Sequence, residues 1–409
     1  MAADGLPPEI LAEIFSHLPV KSLLRFRSTS KSLKSLIDSH NFINLHLKNN
    51  SLNRSLILHY KSELYQIDDF PDLTKSMIPL NHPFNTAPVT YNSIMALLGS
   101  CNGLLAISNG QIAFMHPYGA NEITIWNPNT RKHRIIPFLP LAIPNILESD
   151  KPNRGGICVH GFGFDPSTGD YKLLRISWMA DGHCSFYDSH VSLFSLKTNS
   201  WKTIPSMPYA LQYVQAMGVF VQNSLHWVMT QQSEESHPCF IVAFNLTLEI
   251  FNVVPLPAEI ESIEVNSECE SFQIAVAVLG GCLCMILNYQ TTKTDVWVMK
   301  DYGSSWCKLF TLVNSCFTLS LNFLKPLGYS SDGSKVLLEI DCKKLFWCDL
   351  MSEQVIYVEG ISNLDEAMIC VESLVPPSFP VDYCRKKENH TSKNKRRDDF
   401  LSRGFKLRL

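Results

Sequence analysis

Residues 123–137 read ITIWNPNTRKHRIIP, and the same phrase returns as VSLFSLKTNSWKTIP at 191–205 and IVAFNLTLEIFNVVP at 241–255. Each copy begins with alternating apolar residues and reaches an aromatic: Trp126, Phe194 or Phe244. A polar turn follows, then a second ring seven positions on: His133, Trp201 or Phe251. Pro137, Pro205 and Pro255 close the copies, where a strand must stop because proline has no N–H to give a ladder. The pattern predicts two antiparallel strands joined by a turn. Looser copies are DVWVMKDYGSSWCKLF (295–310), around Trp297 and Trp306, and LFWCDLMSEQVIYV (345–358), around Trp347.

A glycine-led strand pair precedes each copy: GLLAIS from Gly103, GFGFDPSTGDYKLLRI from Gly161, GVFVQNSLHWVM from Gly218, GGCLCMILNY from Gly280 and GYSSDGSKVLLEI from Gly328. Each unit therefore holds four strands. The proline-rich LPLAIPNILESDKPNRGG (139–156) lengthens the first interval and is expected on a loop. Four short antiparallel strands repeated at this period predict the blades of a kelch-type β-propeller, each burying its faces against its neighbours. SLILHY and ELYQID (55–68) supply an incomplete blade, and CVESLV (370–375) is expected to complete it. Six blades follow, with seven the alternative. An open sandwich would not explain the recurring aromatic–turn–proline unit.

The chain has 409 residues, 45% of them apolar, with formal net charge −3, enough for a sizeable core. Its start, MAADGLPPEI, lacks the basic and apolar regions of a secretory leader, so an intracellular protein is expected. The longest apolar run, Ile274 to Leu287, is too short to span a bilayer and is split by Gly280-Gly281 into a hairpin. The thirteen cysteines form no C-x-x-C pair and read as free, mostly buried thiols.

The first forty residues have a different texture. LPPEILAEIFSHLPVKSLLRFRSTSKSLKSLI (6–37) carries apolar residues at helical spacing. Pro7 and Pro8 suit a helix start, Pro19 opens a second segment, and Ser28-Thr29-Ser30 offers an N-cap to a third. Three short helices cannot bury a stripe this wide by themselves. Either another chain covers it or the helices dock on the body of the same chain.

Leu6-Pro7, Ile10, Ile14, Leu18-Pro19, Leu23, Arg25, Arg27, Leu36-Ile37 and Phe42 resemble, in order and spacing, an F-box over residues 4–46. GFGFDPSTGDYKLLRI, LHWV and the closing ESLVP are similar to the F-box-associated, kelch-like domain found behind F-boxes in plants. The resemblance implies an F-box over 1–48, a kelch-like propeller over 52–376 and a basic tail over 384–409. It implies a non-catalytic, cofactor-free subunit of a Skp1–cullin–F-box (SCF) ubiquitin ligase that recruits a target protein for degradation. Leu6, Pro7, Ile10, Leu11, Ile14, Leu18, Pro19, Val20, Leu23, Leu24, Leu36 and Ile37 are the residues expected to meet a Skp1-type adaptor, and through it a cullin–RING ligase. The alternatives are an adaptor-binding scaffold without a ligase role and a kelch-propeller enzyme. The ending RRDDFLSRGFKLRL is similar to that of plant F-box proteins that restrain immune receptors, which implies such a target and a role in plant defence.

No enzyme motif emerges. Gly161-Phe162-Gly163 lacks the third glycine and the helix of a dinucleotide site, and Asp165-Pro166-Ser167-Thr168-Gly169 reads as a turn. His226, in LHWV, is expected to be a satisfied structural histidine. From Cys384 onward there are ten Lys/Arg and three Asp/Glu, so the tail carries +7 and the rest −10. Arg385, Lys386, Lys387, Lys393, Lys395, Arg396 and Arg397 form two clusters that read as a solvated tail or as a nuclear-import signal, giving an expected location in nucleus and cytoplasm. No stacking aromatics interleave with them, so nucleic acid is not an expected partner. Phe405, Leu407 and Leu409 alternate as in an edge strand.

Overall fold

The computed structural model describes residues 6–378 apart from 51–52, 61–62, 72, 74–75, 85–94, 110–121, 141–154, 181–185, 212–216, 232–238, 258, 261–271, 290–291, 314–322 and 342. The basic clusters, the alternating end and most of the proline-rich insertion lie outside the described residues.

The aromatic–turn–proline phrase is a hairpin, as its spacing predicts. Trp126 faces His133, Phe194 faces Trp201, and Phe244 faces Phe251 across adjacent strands. The rings of the last two pairs lie 5.2 and 4.8 Å apart. In the fourth copy a bulge shifts the register, so that Trp306 faces Met299 and Trp297 faces Lys308.

Six sheets result. In order, their innermost strands are Glu366–Val371, Met95–Cys101, Gly155–Asp165, the split pair Tyr209–Leu211 and Val219–Val221, Gln273–Leu279, and Leu324–Tyr329. Blade 1 is composite: Glu366–Val371 pairs with Arg54–Tyr60, which continues to Glu63–Phe70 and Ile78–Leu80. The closing strand is thus supplied by the end of the ring, as expected. It lies four residues earlier than CVESLV, because 372–375 leave the sheet. The run Ile274 to Leu287 is the expected hairpin about Gly280 and Gly281. No helix among the described residues is long and apolar enough to cross a membrane.

Apolar layers fill the space between blades. Trp178 and Trp227 are buried between the third and fourth blades with Val159, Leu225 and Phe244. Polar links cross the same seams. The Trp201 indole donates to the Pro137 carbonyl at 2.8 Å, and Trp306 repeats this on Pro255 at 2.8 Å. The proline that ends one blade therefore receives the indole of the next. Gly218 N–H donates to the His160 carbonyl at 2.7 Å, and any side chain at Gly218 would strike the Trp227 ring.

The leading segment forms the three expected helices, α1 (Pro8–Ser16), α2 (Val20–Arg27) and α3 (Lys31–Ile37), and a fourth that the sequence reading did not include, α4 (His40–Asn49). Pro7 and Pro19 precede the first two, and the Ser30 hydroxyl caps the third by accepting from Leu33 N–H at 3.1 Å. Ser39 caps α4 in the same way on Phe42.

Candidate adaptor-binding face

The helices surround a small core of Val20, Leu23, Ile37 and Phe42, all buried, with Ala12, Phe15, Leu18, Leu24, Leu36 and Ile43 packed against it. A fifth element closes it: Leu374, from just beyond the ring-closing strand, is buried in the same cluster. Of the two alternatives left open by the sequence, docking on the same chain holds in part. One side of the helical stripe is covered by its own chain, and the other is bare.

The twelve residues expected to meet an adaptor divide accordingly. Leu6, Ile10 and Ile14 are 59%, 49% and 47% exposed, and Pro7 and Pro19 are exposed beside them in sequence. Ile10 and Ile14 stand one turn apart on the same side of α1. Leu11, Leu18, Leu24 and Leu36 are half-buried. Val20, Leu23 and Ile37 correct the expectation: they are fully buried and hold the helices together, so as folded they offer no surface to another protein. The apolar stripe is wider than one interface, and α4 with Leu374 takes the surplus.

Phe26 is the residue the sequence reading missed. It is 40% exposed and stacks on Phe15 with ring centroids 5.2 Å apart, so it extends the open apolar surface from α1 to α2. Its signal was present in the α2 sequence, but the period of the helix alone did not say which side it would take.

The exposed charges on α1 are the acidic Glu9 and Glu13, while those on α2 and α3 are mostly positive. Arg27 holds Asp38 through two hydrogen bonds, Nε at 2.6 Å and Nη2 at 2.8 Å, and the pairing raises the Arg27 pKa. Lys21 pairs with Asp68 of blade 1, tying α2 to the ring. Arg25, Lys31 and Lys34 are exposed. His46 is buried against the Leu18 carbonyl, 3.0 Å from Nε2, and burial lowers its pKa, which keeps the ring neutral inside the helical core.

His226 is buried, with Nδ1 3.1 Å from the Val219 carbonyl and Nε2 2.6 Å from Tyr302 Oη, and burial lowers its pKa to about 4. Asp165 to Gly169 is the expected turn, with Ser167 and Thr168 donating to the Asp165 carboxylate. No group of three or more His, Cys, Asp or Glu side chains among the described residues is placed to hold a metal ion.

Comparison with known proteins agrees with both halves of the chain. Residues 4–45 match the F-box domain, and residues 55–372 match the F-box associated beta propeller domain. The chain is 32% identical to the F-box protein CPR1 of Arabidopsis thaliana, over 99% of each chain. It is 30% identical to the Arabidopsis F-box protein At4g22390, over 98% of this chain and 99% of that one. It is 25% identical to the Arabidopsis F-box/kelch-repeat protein At3g23880, over 91% and 96%. An F-box serves in general to bind Skp1 within SCF ubiquitin ligases, in which F-box proteins act as substrate adaptors rather than catalysts. With a helical unit open on one side and a six-bladed ring behind it, this chain belongs to the family of F-box proteins that carry an F-box associated β-propeller.

Proposed function

We propose that this chain holds a Skp1-type adaptor on the surface made by Leu6, Pro7, Ile10 and Ile14, extended by Pro19 and Phe26, and carries a target protein on its ring. The carrying observation is the one-sided burial of α1: its inner side closes a core, while two isoleucines one turn apart stay open. Large apolar side chains grouped this way mark a protein interface rather than a solvated face. The chemistry of ubiquitin transfer belongs to other subunits. What this chain adds is proximity, turning a bimolecular encounter into a local one.

The target is a protein, and an immune receptor is the narrower proposal, supported by the similarity of the ending RRDDFLSRGFKLRL alone. Nuclear and cytoplasmic location through Arg385–Lys387 and Lys393–Arg397 belongs to the same proposal. The deciding experiment is affinity purification of the tagged chain with cullin activity blocked, read by mass spectrometry. Recovery of adaptor, cullin and an accumulating client supports the reading. Adaptor without cullin would indicate a scaffold, and neither would overturn it.

A further inference from the structure

The strand that closes the ring runs on into the core of the helices. Glu366–Val371 completes blade 1, and the next four residues are all buried although they belong to no sheet. They are held from both sides. Glu372 N–H donates to the Asn53 carbonyl at 2.9 Å, just after α4. Asn53 Nδ2 donates to Asn50 Oδ1 at 2.8 Å, and Asn50, itself buried, donates to the Ser16 carbonyl at the end of α1. A chain of polar contacts thus leads from α1 to the closing segment.

On the ring side, Ser373 is the hub. Its hydroxyl donates to the Asn102 carbonyl at 2.7 Å, and its N–H donates to Asn129 Oδ1 at 3.3 Å. Asn127, fully buried, donates from Nδ2 to the carbonyls of Ser373 at 3.0 Å and Val375 at 2.8 Å. Asn102, Asn127 and Asn129 all belong to turns of blade 2. Gly103 makes room for this: its φ is +80°, and a side chain there would fall on Ser373 Oγ and the Val371 carbonyl. Between these tethers, Leu374 enters the helical core against Val20, Leu23, Ile37 and Phe42.

We propose that the F-box is completed by the closed ring: Leu374 becomes available to the helices only when Glu366–Val371 has zipped onto blade 1 and Ser373 has docked on blade 2. The helices are then a sensor of ring closure. A chain with an open ring holds its adaptor-binding unit without one wall of its core, and presents the adaptor poorly. A half-folded receptor is thereby kept from the ligase. This rests on the F-box reading only for its consequence, not for the coupling itself.

The test uses the full chain carrying Leu374→Ala, with Leu374→Met as the volume-conserving control, and hydrogen exchange as readout. Deleting a buried leucine side chain leaves a cavity, so amide exchange in α1–α4 is expected to speed up at least about tenfold in Leu374→Ala, and Leu374→Met to restore most of the protection. Adaptor affinity falls only by the factor by which the folded fraction of the helices falls, so exchange reports the loss of the wall before binding does. Ser373→Ala, which weakens the tether without touching the helices, should move helical exchange in the same direction. Faster exchange that includes the closing strand also supports the coupling. Unchanged exchange in the helices of Leu374→Ala would overturn it. Failure of the wild-type chain to bind adaptor would sink the proposed function while leaving the exchange result standing.

Discussion

Replacing Ile10 and Ile14 together by aspartate separates surface from core in one variant. Full burial of an isoleucine side chain contributes about 1.5–3 kcal/mol, so each of these half-exposed residues leaves roughly 1 kcal/mol for a partner to gain. Losing both removes about 2 kcal/mol of adaptor binding, and each unpaired carboxylate forced into the interface adds ~1–3 kcal/mol of desolvation cost. The sum is at least about 4 kcal/mol, or roughly a thousandfold in affinity. The fold should be nearly indifferent, because exposed substitutions usually stay within about 0.5 kcal/mol; an acidic residue suits position 10 in the first turn of α1, and at position 14 in its last turn it costs ~0.3–1 kcal/mol against the helix dipole. Leu23→Asp is the contrast: it puts a charge into a fully buried site and should disrupt the helices at a cost of several kcal/mol. Calorimetric titration with a Skp1-type adaptor, beside thermal melts, reads both. Wild-type affinity in the Ile10→Asp/Ile14→Asp chain would refute the assignment of this face.

The indole-to-proline bonds across blade seams should each contribute about 1 kcal/mol, so Trp201→Phe and Trp306→Phe should lower the melting midpoint additively; no shift in the double variant would show that the bonds are replaced by water. Glu339, buried beside the closing strand, has its pKa pushed up to about 7 by burial, against the pull of Lys325, whose Nζ lies 3.8 Å away. The folded chain therefore keeps a proton that the unfolded chain gives up. This stabilisation is full below the ordinary glutamate range and is lost as pH rises through about 7. Denaturant melts from pH 5 to 8 should show that decline and its flattening in Glu339→Gln; the same slope in both chains would exclude Glu339 as its source. Gly103→Ala, which crowds Ser373 at a positive φ, should destabilise ring and helices together, while calorimetry showing loss in the ring alone would argue against the link between them.

Much of this architecture was legible because blade structure is local. Seven positions from Phe194 to Trp201, or from Phe244 to Phe251, is the spacing of a hairpin pair with a short turn, and proline reports where the outer strand stops. The same logic located the strand pair around Gly280 and the turn at Asp165. Illegible features depend on distant chain. Val20, Leu23 and Ile37 carry the same helical period as Ile10 and Ile14, and periodicity says that a residue is apolar, not which neighbour will cover it. What covers them is α4, whose alternating polar and apolar residues are a weak signal, and Leu374, more than three hundred positions away in sequence. The closing strand was placed too late for a related reason. Residues 370–375 look like one apolar strand, yet Ser373 and Leu374 serve two different neighbours and turn out of the sheet.

On the proposed function, the open side of the helical unit takes an adaptor while the ring takes a different protein. Hydrogen exchange of the full chain with and without a Skp1-type adaptor tests it most directly. New protection is expected in α1 and α2, around Ile10, Ile14 and Phe26, with the ring strands unchanged. Protection confined to the ring, or none anywhere at saturating adaptor, would contradict it.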